Sequence, residues 1–255
     1  MGFFYFYHMD IKQYLDSTYL KTPQQAGISE GENETIVKGF VQEAIDEGFK
    51  LIMIRPNMVH MAKQMILDAG SKVLVGTVIG FPEGNYSLEH KLEEAQQAIN
   101  DGADELDFVC DYEAFKKGEL DLVKKEILKG TQLGLSNHKV VKWIIEVAAL
   151  NSQQIMHLSC LVKNVVISNF SEDNYASVFV KSSTGFYKTE DGLPNGATVP
   201  SIIMMLENSS PLPVKAAGGV RTYEEAKEMI RLGVKRIGTS SAKAIANGEA
   251  ANNDY

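Results

Sequence analysis

The strongest constraint on the fold is a repeating alternation of short apolar runs with longer amphipathic segments. Apolar runs bounded by turn residues read as strands, and apolar residues at three- and four-residue spacing read as helices. Strands are expected at 15–18, 51–54, 72–79, 105–110, 140–147, 177–183, 214–217 and 236–239, the first being ambiguous. Helices are expected at 33–48, 57–69, 87–100, 120–133, 152–163, 199–206, 223–232 and 241–246. Gly48, Gly70, Gly102 and Gly233 stand where helices need a stop, and Ser87, Ser152 and Thr222 where they need an N-cap.

Alternation at this repeat length requires parallel strands with helical crossovers. Eight units in a chain of about 250 residues fit a closed (β/α)8 TIM barrel. An open doubly wound sheet would carry a glycine-rich dinucleotide loop after its first strand, and none follows 15–18. The expected plan is one α/β barrel domain at 10–246, a short N-terminal extension at 1–9 and a mobile C-terminal tail at 247–255. The extension is aromatic, too short and uncharged for a signal peptide, with Met9 as the preferred natural start. The polar loop 168–175 precedes the sixth strand and is expected on the face opposite the functional one.

Composition limits the partners. The net charge is −8 and no Lys/Arg block occurs, which argues against nucleic acid or an anionic membrane. No apolar run approaches membrane length. A phosphorylated metabolite remains open, because backbone N–H groups and a few basic side chains suffice to hold it. Cys110 and Cys160 form no pairing motif, so reduced thiols in a cytoplasmic setting are expected. The five histidines show no ligand spacing, and neither a metal nor a cofactor is expected.

In a barrel the functional groups lie at the C-terminal strand ends. There the sixth strand puts Phe179 and Lys181 on one face and Val178 and Val180 on the other. A buried lysine disfavours its charged form, and its amine becomes a nucleophile. A lone lysine could equally snorkel out at the strand end. Lys215 repeats the pattern on the neighbouring strand, and Asp107 faces inward from the fourth. Two close lysines lower at least one pKa, and a fall from about 10.4 to about 7 takes roughly 4–5 kcal/mol. The competing reading is a three-membered ion-pair network that braces the barrel mouth. Next door, Gly218-Gly219 and Gly238-Thr239-Ser240-Ser241 occupy the usual phosphate loops. Ser240 and Ser241 can add hydroxyl donors and the short helix its dipole, unless the glycines serve only as turns.

These residues carry a resemblance over nearly the whole chain. Leu15-Asp16-Ser17-Thr18-Tyr19-Leu20-Lys21, Val78-Ile79-Gly80-Phe81-Pro82-Glu83-Gly84, Gly102-Ala103-Asp104-Glu105-Leu106-Asp107 and Phe179-Val180-Lys181-Ser182-Ser183-Thr184-Gly185-Phe186 come in order. Val214-Lys215-Ala216-Ala217-Gly218-Gly219-Val220-Arg221-Thr222 and Arg236-Ile237-Gly238-Thr239-Ser240-Ser241 follow. The chain resembles the deoxyribose-phosphate aldolase family of class I, Schiff-base aldolases. The resemblance implies reversible cleavage of 2-deoxy-D-ribose 5-phosphate to acetaldehyde and D-glyceraldehyde 3-phosphate, without metal. It implies Lys181 as the Schiff-base lysine, Lys215 as the neighbour that lowers its pKa, and Asp107 and Asp16 as proton-relay carboxylates. Thr184, Gly185, Gly218, Gly219, Gly238, Ser240 and Ser241 would bind substrate. Tyr255 would return to the barrel mouth as a proton carrier, unless the polar tail is only a disordered end with no role.

The partners implied are a phosphorylated sugar and aldehydes, with a homodimer as a candidate assembly. Met53 stands where similar enzymes usually have cysteine, and 164–175 lacks the usual short Gly-Ala-Asp approach to the sixth strand. Two alternatives stay open: a Schiff-base aldolase for another phosphorylated sugar, and a catalytically silent barrel that binds a sugar phosphate.

Overall fold

A computed structural model describes residues 10–190 and 192–249. The expected extension 1–9 and the tail from 250 onward, with Tyr255, lie outside the described residues. Eight parallel strands close into a barrel in sequence order: β1 (Leu15–Thr18), β2 (Leu51–Ile54), β3 (Leu74–Ile79), β4 (Glu105–Val109), β5 (Val140–Ile144), β6 (Val178–Lys181), β7 (Val214–Ala217) and β8 (Arg236–Thr239). β8 returns to β1 with Asp16 opposite Gly238. The helices are α1 (Pro23–Ala26), α2 (Glu30–Glu47), α3 (Val59–Asp68), α4 (Leu88–Asn100), α5 (Tyr112–Lys116) and α6 (Leu120–Ser136), then α7 (Ser152–Asn169), α8 (Val199–Ser209), α9 (Tyr223–Leu232) and α10 (Ala242–Asn247). The (β/α)8 TIM barrel expected from the alternation is the fold.

Local chemistry sets the helix ends. Ser29 and Glu32 form a capping box at the start of α2, and Gly48 ends it in the left-handed region. Thr222, Glu225 and Gly233 do the same for α9. The expected Ser152 cap belongs instead to Asn151, whose side chain accepts from the Gln154 N–H. The irregular stretch expected at 164–175 is largely helix, because α7 runs to Asn169. Val162, Val165 and Val166 continue the buried stripe begun by Ile155 and Leu158, so the core-facing period does not stop at Lys163. A 3₁₀ segment, Glu172–Ser177, completes the approach to β6.

The strand pleat divides the molecule into an apolar shell and a barrel interior. Outward residues such as Leu15, Ile52, Ile54, Val75, Leu106, Val141, Val180 and Ile237 pack beneath the helices in one continuous core. Inward residues of β2 and β3 are apolar, and Leu51, Met53 and Val78 join Leu20, Phe81 and Ile144 in a smaller cluster within the barrel. From β4 round to β1 each strand carries at least one inward charge. The register sets Asp107 opposite Lys142, Lys181 opposite Lys215, and Lys215 opposite Arg236. A slip of one residue would turn these charges into the apolar shell, so the shell specifies the register of the site.

One contact in that shell depends on a missing side chain. Trp143 on β5 is fully buried, stacks on Phe108 at 4.9 Å and donates from Nε1 to Thr131 Oγ1 at 2.9 Å. A Cβ on Gly130 of α6 would lie 2.8 Å from the Trp143 ring. Gly130→Ala gains up to about 1 kcal/mol of helix propensity, but overpacking a core costs about 1–3 kcal/mol. The variant should therefore unfold at lower urea concentration than the parent, by about 1–2 kcal/mol in equilibrium denaturation.

Candidate active site

The inward face of β4 to β8 and β1 assembles seven ionisable side chains around two linked carboxylates. Asp107 of β4 is fully buried. Its Oδ1 accepts from Lys142 Nζ at 2.6 Å, and its Oδ2 from Lys181 Nζ at 2.8 Å and Lys215 Nζ at 3.0 Å. Lys215 also lies 2.6 Å from Asp16 Oδ2, off the ideal hydrogen-bond direction. Asp16 Oδ1 takes the Arg236 guanidinium, with Nε at 2.8 Å. Arg236 Nη1 reaches Glu105 Oε1 at 2.9 Å, and Glu105 Oε2 meets Lys142. The expected lysines Lys181 and Lys215 and carboxylates Asp107 and Asp16 form the upper part of this network. Lys142, Glu105 and Arg236 are its unforeseen lower part.

Burial and charge act in opposite directions on these groups. Burial pushes the Asp107 carboxyl up, but Lys142, Lys181 and Lys215 outweigh it and hold the group well below the usual carboxylate range. Burial likewise raises the Asp16 carboxyl, and Arg236 and Lys215 outweigh it and bring the group below its usual value. Lys142 is held above the ordinary lysine value, because Asp107 and Glu105 overcome its burial. Lys181 goes the other way. Burial is the largest influence and lowers it, Asp107 opposes, and Lys215 lowers it again, so it comes to rest at about 8. Lys215 therefore contributes to the depression, as expected, but burial contributes more.

Above the network opens a pocket with about 740 Å³ of empty space, part of it open solvent. Lys181, Thr184, Gly185, Gly218, Gly219, Gly238 and Ser240 line it. Asp107, Lys215 and Asp16 do not; they sit behind Lys181 in the interior. Ser241, expected to reach the ligand, is not among the lining residues, and its N–H donates to Thr239 Oγ1 at 3.0 Å. Gly218 and Gly219 both hold φ near +80°, at 79° and 85°. Gly238 lines the pocket and also makes room behind it: a Cβ there would stand 3.1 Å from Lys215 Cε, so its absence leaves space for that side chain. Thr18, Leu20, Asn195 and Arg221 also line the pocket and had not been singled out. Met53 lies fully buried in the barrel cluster rather than in the pocket wall.

Comparison with known proteins gives the chain a family. Residues 23–250 match the sequence profile of the DeoC/LacD family aldolases. The chain belongs to that family. The deoxyribose-phosphate aldolase of Thermococcus gammatolerans is 38% identical over 241 residues, covering 94% of this chain and 96% of the relative. That of Streptococcus gordonii is 37% identical over 248 residues, covering 97% and 100%. A solved structure described as a unique tetrameric deoxyribose phosphate aldolase from Aeropyrum pernix aligns with a TM-score of 0.74 at 28% identity, covering 93% of this chain and 89% of that one.

Within this aldolase the residues missed by sequence reasoning left unequal traces. Lys142 and Arg236 stand at inward positions of otherwise apolar strands, which is the same signal that singled out Lys181. Glu146, just beyond β5, left none, because no pattern marks a glutamate that folds back on the next strand. Among the described residues no helix is long and apolar enough to cross a membrane, and no group of three His, Cys, Asp or Glu side chains is placed to hold a metal.

The opposed influences on Lys181 have a measurable consequence. Removing the Lys215 charge leaves Asp107 to act on Lys181 with one competitor fewer, so the Lys181 pKa must rise from about 8. A group that reacts as the free amine then loses roughly tenfold in reactive fraction at pH 7 per unit of rise. Lys215→Leu should slow imine trapping at pH 7 by about tenfold or more and move the midpoint of its pH–rate profile upward. Trapping rates measured from pH 6 to 10 give the answer, and an unmoved midpoint would contradict it.

Proposed function

We propose that this aldolase reversibly cleaves 2-deoxy-D-ribose 5-phosphate into acetaldehyde and D-glyceraldehyde 3-phosphate through a Schiff base on Lys181. The observation that carries the reading is a single lysine on the pocket wall, lowered to about 8, whose Asp107 oxygen is shared with a second lysine behind it. At pH 7 about one Lys181 in ten is the free amine, and at pH 9 about nine in ten.

Neutral Lys181 adds to the substrate aldehyde to give a carbinolamine. Lys215 donates a proton to the departing hydroxyl, water leaves, and the iminium forms. The iminium withdraws electrons as the carbon–carbon bond two atoms away breaks, giving an enamine and the new aldehyde of the phosphorylated fragment. The hydroxyl proton released in that step returns through water and Asp107 to the neutral Lys215. Asp107 is a poor base alone, because three ammonium groups hold it ionised. Relay to Lys215 removes the need for it to stay protonated. The enamine carbon then takes a proton, and hydrolysis frees acetaldehyde and Lys181. Asp16 acts through Lys215, which it holds in place from below. Tyr255, from the sequence alone, stays a candidate for protonating the enamine.

The far end of the pocket suits a phosphate. Gly218 and Gly219 expose backbone there, Ser240 offers a hydroxyl, and Arg221 adds a cation. Two relatives at 38% and 37% identity named for deoxyribose phosphate support that substrate over other phosphorylated sugars. A cytoplasmic setting accords with Cys110 and Cys160, both free thiols. Self-association, as a dimer or the tetramer described for the Aeropyrum protein, is part of the proposal and is read by light scattering.

Borohydride added with deoxyribose 5-phosphate should fix a reduced adduct on the peptide that holds Lys181, and Lys181→Ala should lose it with at least a thousandfold loss of turnover, about 4 kcal/mol. An adduct on Lys215 would exchange the two roles. Trapping by a different sugar phosphate but not by deoxyribose 5-phosphate would reassign the substrate, and no adduct with any of them would favour a silent binding barrel.

A further inference from the structure

Glu146 lies just past β5 with its side chain fully buried, yet the mechanism above does not use it. Its backbone sits in the left-handed region, at φ 53° and ψ 70°, which a residue with a Cβ seldom adopts. The neighbours explain the conformation. The Ile145 N–H donates to Lys181 O at 3.0 Å and the Val147 N–H to Ser182 O at 2.8 Å, so both residues flanking Glu146 bond to the strand that carries Lys181. The turn at Glu146 folds its carboxyl over residues 183 and 184. There Oε2 accepts from the Thr184 N–H at 3.0 Å and from the Thr184 hydroxyl, and Oε1 lies 2.8 Å from Ser183 Oγ.

The protons around Ser183 can be counted. Its Oγ receives the Gly185 N–H at 2.9 Å. It also lies 2.6 Å from the Asn195 carbonyl oxygen, an atom that can only accept, and 2.8 Å from Glu146 Oε1. A serine hydroxyl has one proton to give. If Glu146 is ionised, two acceptors compete for it and one close contact has no hydrogen. If Glu146 carries a proton on Oε1, it donates to Ser183 Oγ, Ser183 donates to Asn195 O, and every contact is satisfied. Thr184 adds no spare proton, since its hydroxyl already points to Oε2 and accepts from the Phe186 N–H at 3.0 Å.

We propose that Glu146 is a neutral carboxylic acid in the resting enzyme, and that its proton locks the Glu146–Ser183–Asn195 chain that shapes the substrate pocket beside Lys181. Thr184, Gly185, Phe186 and Asn195, which this chain ties together, all line that pocket, and Asn195 Nδ2 further donates to Gly185 O at 3.1 Å. Glu146 is thus a positioning residue: it holds the wall against which the substrate lies and touches no reacting atom. Burial raises its carboxyl above the usual range, against the pull of the Thr184 and Ser183 bonds and of Lys181. The charged and titratable neighbours that bear on it are Lys181 on β6, which favours ionisation, and Tyr112 on α5, a buried phenol pushed up by burial first and by Glu146 next. Around Tyr112 stand Glu113, Tyr187 and Glu83.

The inference rests on the aldolase reading for its kinetic arm, so the test has a second arm that needs no turnover. Glutamine can imitate the neutral acid, with its amide N–H toward Ser183 and its carbonyl toward Thr184, whereas alanine removes both contacts. Glu146→Ala should raise KM for deoxyribose 5-phosphate at least tenfold while kcat stays within about threefold, and Glu146→Gln should restore most of that loss. The infrared difference spectrum of wild type minus Glu146→Gln at pH 7 should contain the carbonyl stretch of a protonated carboxyl. A glutamine variant as impaired as the alanine one, or a difference spectrum with carboxylate bands only, would overturn the proposal. An unchanged KM in Glu146→Ala would do the same. If Glu146→Ala does not fold, the glutamine variant and the spectrum decide. Failure of the wild type to cleave deoxyribose 5-phosphate would fell the substrate reading, while the spectrum would still report the proton on Glu146.

Discussion

The site depends on an imbalance of charge inside the barrel. Asp16, Glu105 and Asp107 supply three buried carboxylates, and Lys142, Lys181, Lys215 and Arg236 supply four cationic groups. A charge buried without a partner costs several kcal/mol, so a cluster with one cation in excess is relieved by losing one proton. Arg236 cannot give one up. Lys142 touches both Glu105 and Asp107, and Lys215 touches both Asp16 and Asp107. Lys181 touches Asp107 alone, and that oxygen is shared with Lys215. The fourth cation is therefore the one held least, and it is also the one that faces the pocket. A neutral amine at the substrate follows from charge balance as much as from any single neighbour.

The fold makes that imbalance affordable by separating it from the apolar shell. Outward side chains of all eight strands share one core with the helices, and they set the strand register without help from the polar residues. The interior is then free to carry charge on one side and apolar groups on the other. Leu51, Met53, Val78 and Ile144 form the dry side, which keeps water from solvating Lys181 and so maintains its depressed basicity. Gly238 opens the passage for Lys215 through this crowded layer.

Much of this could be read from the sequence, for identifiable reasons. β1, β2, β7 and β8 fall at their expected bounds because turn residues close abruptly on short apolar runs. α9 is bounded by a threonine cap and a glycine stop, and its ends agree as well. Lys181 and Lys215 stood out as charges within apolar strands. Lys142, Glu105 and Arg236 carry the same mark, but their partners come from strands distant in sequence, and only the closed barrel shows that they meet. The length of α7 was lost where polar residues at 168–175 masked the valine stripe before them. Glu146 lay beyond reach, since its contribution rests on a backbone conformation that no local pattern announces.

The central claim is that Lys181 is the member of this cluster that sheds its proton near neutrality. Nitrogen-15 NMR of the lysine side chains reads it most directly, with the Lys181 signal assigned by its loss in Lys181→Arg. Charge imbalance predicts a Lys181 titration midpoint near 8 in the ligand-free enzyme, with Lys142 still protonated well above that pH. A Lys181 midpoint at or above the ordinary lysine value of about 10.4 would contradict it.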